Sequence, residues 1–155
     1  FVCKHNRFRS KVAEGFFNKL NKNKNLKAKS AGIFKGYPVT DIIKEISKEF
    51  GISISSTPKT ISEDMLKNFN YIIIVANDVP QDLFDHNFCK NVRIWNILDT
   101  NANDKEAIKK IFKEIEKNVK DFLKELEWHP PTPKGVGFHM KVEQYGVLPD
   151  VRYNA

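Results

Sequence analysis

The chain has 155 residues, of which 41% are hydrophobic and 29% are charged, and its formal net charge is +7. This composition is typical of one globular domain with a sizeable core. The longest apolar run, Tyr71 to Ala76, has the length of a buried strand and falls far short of the roughly 20 residues that span a membrane. We therefore expect no membrane span and no membrane partner.

The positive charge is mostly lysine in two stretches of helical pattern, 18–29 and 105–124, where it alternates with Glu and Asn. Such stretches are usually solvated helix faces, and no RNA- or DNA-binding signature occurs, so no nucleic-acid partner is expected. With two cysteines and no signal peptide, the chain is expected to occupy a reducing cytoplasm. The local cluster of Lys4, Arg7 and Arg9 differs because it surrounds a cysteine.

Strand and helix patterns alternate along the chain. The first strand, Phe1 to Cys3, is too short for a central strand, so we expect it to be truncated. Ser10 stands at the N-cap position of a helix whose apolar face includes Phe16 and Leu20. Further strands are predicted over 26–31, 71–76 and 92–97, and further helices from Thr40 or Asp41 to Phe50, from Ser62 to Phe69 and from Asp104 to Leu126.

This alternation predicts an α/β fold in which helices cover both faces of a parallel sheet. In such a sheet the functional crevice lies beyond the carboxyl ends of the strands. Cys3 stands at that end of the first strand, and Asn77-Asp78 and Asp99 follow later strands at the same edge. The sequence therefore predicts that these polar residues share one site.

The composition and periodicity of the sequence change after Glu127. Residues 128–133 hold three of the seven prolines, and no long periodic element follows. We divide the chain into a catalytic domain, 1–127, and an appendage, 128–155, for which the sequence indicates no function.

The loop that follows Cys3 has the features of an anion site. Its backbone N–H groups can curl inward beside the N-terminus of the next helix and form a cradle for an oxyanion. Arg9, six residues after Cys3, supplies a planar fork for two oxygens. The same positive charge favours the thiolate form of Cys3, which makes it a nucleophile aimed at the bound anion.

Neighbouring polar residues are assigned supporting roles. Ser10 can donate a hydrogen bond to the thiolate and also cap the helix, and Asn6 and His5 can brace the loop through side-chain hydrogen bonds. The predicted oxyanion-binding loop consists of Lys4, His5, Asn6, Arg7, Phe8, Arg9 and Ser10.

Two other interpretations of Cys3 stay open at this point. It is either a buried structural cysteine or a member of a zinc site with His5, His86 and Cys89. A buried structural cysteine leaves the surrounding positive charge unexplained. The zinc interpretation requires spacings that structural zinc sites do not usually have. We expect no metal and no cofactor.

If the bound oxyanion is a phosphate ester, displacing its alkoxide or phenoxide from phosphorus requires a general acid. Asp99 is the candidate, because it follows an apolar stretch at a strand end and precedes the last helix. A turn or cap aspartate is the alternative interpretation. Asp104 is a weaker candidate, since a helix N-cap already explains it.

The run from Val2 to Ser10, followed by Ala13-Glu14, resembles the signature of the low-molecular-weight protein tyrosine phosphatase superfamily, which includes the thioredoxin-coupled arsenate reductases. Ser30-Ala31-Gly32 and Trp95 to Asp99 add to a resemblance that covers 1–127. It implies a three-layer fold with a four-stranded parallel sheet. It also implies that Cys3 forms a phosphocysteine, that Arg9 binds the phosphoryl oxygens, and that Asp99 acts first as acid and then as base.

The chain departs from this family in two places. Asp99 precedes Thr100 where phosphatases usually have proline, which weakens the case for a tyrosine preference. His5-Asn6 favours the reductase branch, yet the loop Ala76 to Pro80 lacks the cysteines of its internal relay. Cys89 is then the candidate resolving thiol, or an external thioredoxin- or glutaredoxin-type reductant is needed.

We therefore predict a phosphatase that acts on phosphomonoesters, with a phosphorylated protein (phosphotyrosine) or a small aryl phosphate as substrate. The alternative is an arsenate reductase that uses Cys3 as nucleophile and Cys89 or an external thiol for resolution. A second alternative is a non-catalytic module that binds an oxyanion.

Overall fold

The computed structural model describes residues 1–84 and 91–128. In that part of the chain, short strands alternate with helices. The elements are β1 Val2–Cys3, α1 Arg9–Leu20, β2 Ala31–Gly32, α2 Asp41–Glu49, α3 Glu63–Asn68, β3 Tyr71–Val75, a short 3₁₀ helix Gln81–Leu83, β4 Asn91–Trp95 and α4 Lys105–Trp128.

The four strands form one parallel sheet in the order β2-β1-β3-β4. Val2 of β1 pairs with Ala31 on one side and with Ile74 on the other, so the strand that carries Cys3 is central. The carboxyl ends of parallel strands meet at one edge of the sheet. The predicted α/β fold with a four-stranded parallel sheet is confirmed.

Helices pack on both faces of the sheet and make three layers. On one face, α1, α2 and α4 bury an apolar cluster against Ile73 and Val75 of β3. On the other face, Ile72 and Ile74 join a smaller cluster against which Leu66 of α3 packs. Because β3 alternates its side chains between two apolar layers, its whole sequence is hydrophobic, as a strand buried on both faces requires.

The ends of several helices follow the sequence signals. Ser62 Oγ accepts a hydrogen bond from the Met65 N–H, and Asp104 Oδ1 accepts one from the Ala107 N–H at 2.9 Å. Gly51, at φ +64°, ends the helical conformation of the chain after α2. The helices predicted to begin at Ser62 and Asp104 are therefore confirmed to within one residue.

Two local predictions are wrong. β2 contains only Ala31–Gly32 instead of 26–31, because its partner β1 offers two residues to the ladder. Ser10 is not the N-cap of α1. The helix begins at Arg9, so the N-cap position falls on Phe8, whose side chain has no polar atom, and the Ser10 hydroxyl contacts Cys3 and Asn6 from inside the first turn.

Two further predictions concern membrane spans and the C-terminal appendage. Within the described residues, no helix is both long enough and apolar enough to cross a membrane. α4 continues to Trp128, and most of the predicted appendage lies outside the described residues. The domain boundary at 127 stays a prediction.

The N-cap of α4 provides a test of the fold. Asp104→Ala removes the acceptor for the Ala107 N–H and should lower the free energy of unfolding by about 1 kcal/mol in urea titration. Glu114→Ala, at an exposed position in the middle of the same helix, is the control and should change it by less than about 0.5 kcal/mol. Equal effects of the two substitutions would contradict a capping role.

Candidate active site

Cys3 ends the central strand β1 and is 3% exposed. Its Sγ lies 3.1 Å from the Oγ of Ser10, in the first turn of α1. At this distance the hydroxyl is able to donate a hydrogen bond to a thiolate. The loop between them, residues 4–8, turns the chain from the sheet edge into the helix.

Asn6 holds the middle of this loop. Its φ is +50°, in the left-handed region that Asn tolerates better than most residues. The side chain is fully buried: Nδ2 donates to Ser10 Oγ at 2.9 Å, and Oδ1 accepts from the Lys59 N–H at 2.8 Å. Asn6 therefore joins the loop to the helix start and to the segment 55–61 behind it.

The segment 55–61 is itself fastened to the sheet and to α1. The Gly32 N–H donates to the Lys59 carbonyl at 2.7 Å, and the Ile61 N–H donates to the Gly32 carbonyl at 2.8 Å. Lys11, 2% exposed, donates from Nζ to Ser55 Oγ at 2.7 Å and to the Thr57 carbonyl at 2.9 Å.

Burial lowers the pKa of Lys11, and the negative charge of Glu14 opposes that shift. Sequence reasoning missed Lys11 as a support of the site. Its position directly after Ser10 was the only available signal, because a lysine on a helix is usually solvated.

Two glycines let the loop lie close to the chain after β2. A Cβ at Gly32 would come within 2.8 Å of the Asn6 nitrogen, and a Cβ at Gly36 would overlap the His5 carbonyl oxygen. Neither position tolerates a side chain without movement of the loop backbone. Gly36 was missed as a site residue, although glycine in a loop often indicates such close approach.

Arg9 is the first residue of α1, and its side chain is 3% exposed. Nη1 donates to the Ile97 carbonyl at 2.8 Å and to Asn77 Oδ1 at 3.2 Å, and Nη2 donates to Asp78 Oδ1 at 2.9 Å and to Asp99 Oδ2 at 3.3 Å. The residues that follow β3 and β4 thus meet Arg9 at the edge of the sheet where Cys3 ends β1.

The other predicted loop residues point in different directions. Phe8 packs on Phe112 of the core with ring centroids 5.8 Å apart, so it anchors the loop to the core. His5 is half-buried, and its ring lies 6.1 Å from that of Phe34. Lys4 is exposed and Arg7 is half-buried.

The metal and relay hypotheses involve residues that lie partly outside the described chain. Among residues 1–84 and 91–128, no three His, Cys, Asp or Glu side chains come together as a metal site. His86 and Cys89, which the zinc interpretation needs, fall outside these ranges, as does the proposed resolving role of Cys89.

Asn6 provides a test of the loop. Asn6→Ala removes a donor and an acceptor from a buried position and puts alanine at positive φ, so the free energy of unfolding should fall by about 3 kcal/mol. Asn6→Gly should recover about 1 kcal/mol of this, since glycine removes the backbone strain. Asn18→Ala, on the exposed face of α1, is the control. An unfolding energy for Asn6→Ala within about 0.5 kcal/mol of the control would contradict the bracing role.

Gly36 provides a second test. Gly36→Ala should displace the His5 carbonyl and weaken the binding of inorganic phosphate by about tenfold, since a shift near 1 Å misaligns the loop N–H groups. Isothermal titration calorimetry measures this change. Gly15→Ala, where the added methyl meets only side-chain atoms of Ile52 and Ile54, is the matched control. Unchanged phosphate binding by Gly36→Ala would show that the loop accommodates the methyl group.

Comparisons with known proteins match the chain to one family. The family model described as low molecular weight phosphotyrosine protein phosphatase matches residues 1–130. A comparison with curated proteins found no match.

Several solved structures are similar to the chain. An arsenate reductase from Archaeoglobus fulgidus is 31% identical, with a TM-score of 0.66, and the match covers 80% of this chain and 97% of that one. A low molecular weight protein tyrosine phosphatase from T. tengcongensis is 27% identical, with a TM-score of 0.70 and coverage of 81% and 97%. A phosphatase of the same class from Streptococcus pyogenes, 19% identical with a TM-score of 0.69 and coverage of 81% and 90%, shares the fold. The chain belongs to the low molecular weight phosphotyrosine protein phosphatase family.

Proposed function

We propose that the chain is a cysteine-dependent phosphatase that hydrolyses phosphomonoesters through a phosphocysteine. The observation that carries this proposal is the convergence of four groups at one edge of the sheet. Cys3 Sγ lies beside the Ser10 hydroxyl, and the Arg9 guanidinium contacts the Asp99 carboxylate. A nucleophile, an oxyanion-binding group and a carboxyl acid are the parts that phosphoryl transfer to a thiol requires.

In the first step, the Cys3 thiolate attacks phosphorus and forms an S–P bond. The bond from phosphorus to the ester oxygen breaks, and Asp99 in its acid form gives its proton to the leaving oxygen. The N–H groups of the loop and of Arg9 hold the non-bridging oxygens, where negative charge is spread in the transition state. Ser10, whose Oγ lies 3.1 Å from the Cys3 Sγ, is placed to donate a hydrogen bond to the thiolate.

In the second step, a water molecule attacks the phosphocysteine. Asp99, now a carboxylate, accepts a proton from the water as its oxygen bonds to phosphorus, and the S–P bond breaks. Inorganic phosphate leaves and the Cys3 thiolate is restored. The 61% exposure of the Asp99 side chain supports this role, because the same group must reach both the leaving oxygen and a water molecule.

The substrate is proposed to be a phosphorylated protein, with phosphotyrosine as its modified residue, or a small aryl phosphate. The family description and two exposed aromatic side chains in the segment after β2, Phe34 and Tyr37, support an aromatic substrate. Phe34 is 57% exposed, which leaves part of its surface open to contact another ring. Because this chemistry needs a free thiol at Cys3, we also propose a reducing, cytoplasmic location.

Arsenate reduction is the second candidate function. It is favoured by the 31% identity to the Archaeoglobus fulgidus arsenate reductase. Arsenate is a tetrahedral oxyanion like phosphate, so the same cradle and nucleophile would serve. Reduction needs a further thiol, either Cys89 or a thioredoxin- or glutaredoxin-type partner.

The two candidate functions make opposed predictions. With p-nitrophenyl phosphate as substrate, Cys3→Ser should abolish turnover and Asp99→Asn should slow it by about a hundredfold or more. Asp104→Asn is the matched control in the same segment, because asparagine caps a helix as well as aspartate does. It should retain the wild-type rate.

A different set of results would support the reductase. If the protein consumes thiols only in the presence of arsenate, and Cys89→Ala stops that consumption, the phosphatase proposal is wrong. If phosphate binds but neither aryl phosphate nor arsenate is turned over, the chain is an oxyanion-binding module. An unchanged hydrolysis rate in Asp99→Asn would assign the acid to another residue.

A further inference from the structure

Two consecutive residues of the turn after β3 hold the outer edge of the Arg9 guanidinium, which is the edge formed by Nη1 and Nη2. Asn77 Oδ1 accepts from Nη1 at 3.2 Å, and Asp78 Oδ1 accepts from Nη2 at 2.9 Å. The Ile97 carbonyl adds a second acceptor to Nη1 at 2.8 Å. A planar fork that is held at both terminal nitrogens cannot rotate about its long axis.

The two carboxylates that contact Nη2 differ in their distance from it and in their exposure to solvent. Asp78 lies at 2.9 Å with its side chain 35% exposed, whereas Asp99 lies at 3.3 Å with its side chain 61% exposed. The longer and more solvated pair is the weaker one. Asp99 is therefore the partner that Arg9 can release to an oxyanion, and the contact with Asp78 remains.

The other edge of the guanidinium is suited to bind the oxyanion. Arginine carries five N–H donors, and the four contacts described above occupy the two on Nη1 and the two on Nη2. The Nε–H donates to no acceptor within residues 1–84 and 91–128. In the same part of the chain no fully buried side-chain nitrogen lacks a partner, so Nε is within reach of solvent. Once Asp99 is released, the Nε–H and an N–H of Nη2 are available as a bidentate pair for two oxygens.

We propose that Asp78 is a positioning residue for the oxyanion. Its carboxylate holds the outer edge of Arg9, so that the Nε–Nη2 edge faces the cradle formed by residues 4–8. Asp78 contacts neither the nucleophile nor the phosphoryl group and acts through Arg9. This inference rests on the proposed function in one respect, namely that an oxyanion binds in the cradle.

The test compares phosphate binding by three variants, measured by isothermal titration calorimetry with inorganic phosphate. Asp78→Ala should raise the dissociation constant by about tenfold, which is the loss of one charge-assisted hydrogen bond. Asp78→Asn keeps an oxygen that accepts from Nη2 and should raise it by only about threefold. Asp82→Ala removes the same charge at an exposed position four residues away and should leave it unchanged. With p-nitrophenyl phosphate, kcat/KM should fall in the same rank order.

Three results would overturn the inference. Tighter phosphate binding by Asp78→Ala would show that Asp78 competes with the oxyanion. Binding equal to that of Asp82→Ala would show that Asp78 has no part in it. A lower melting temperature with an unchanged dissociation constant would show a purely structural role, and Asp78→Asn supplies this comparison if Asp78→Ala does not fold.

Binding and turnover measurements distinguish a failure of the proposed function from a failure of this inference. Calorimetry does not depend on turnover, so Asp78 is judged even if the wild-type protein reduces arsenate or only binds the anion. If the wild-type protein binds no phosphate, both the proposed function and the role of Asp78 are rejected. If it binds and hydrolyses while the Asp78 variants match the control, only the inference is rejected.

Discussion

The buried guanidinium of Arg9 is the constraint on which the arrangement of the sheet edge depends. A cation whose side chain is 3% exposed has lost most of its water, so it needs acceptors for its N–H groups and an anionic partner. Those acceptors come from the turn after β3 and from the chain after β4. Since Arg9 is also the first residue of α1, pairing its charge fixes the helix start against the two acidic segments.

The loop from Lys4 to Phe8 is held from the opposite side by uncharged contacts. The Asn6 amide spans from Ser10 to Lys59, Phe8 inserts into the core beside Phe112, and glycines let the backbone of the next segment approach. Within the described residues, no fully buried side-chain nitrogen or oxygen lacks a hydrogen-bond partner. A loop whose buried side-chain polar groups are paired in this way keeps a set shape, which preorganised binding of an oxyanion requires.

Sequence reasoning worked best where the signal was periodic or strictly local. The apolar run of β3 and the long amphipathic face of α4 predict their elements because the packing demands that pattern at every turn. It failed for β2, whose length is set by its ladder partner and not by its own residues. It failed for Ser10 as well, since the hydroxyl that would cap a helix in isolation is bound to Cys3 and Asn6 in the fold. Lys11 gave no signal, because only the tertiary structure brings the segment 55–61 over it.

By itself, the sequence determined the α/β class and the meeting of Cys3, Asp78 and Asp99 at one sheet edge, because strand direction places the residue after every parallel strand at the same side. It also determined that a cation would stand among them. Only the tertiary structure decided how that cation is paired, with Asn77 and Asp78 on its outer edge and Asp99 held more loosely. The physical reason is that hydrogen bonds depend on ångström-scale distances between loops far apart in the chain, and no pattern of residue types along the sequence specifies those distances.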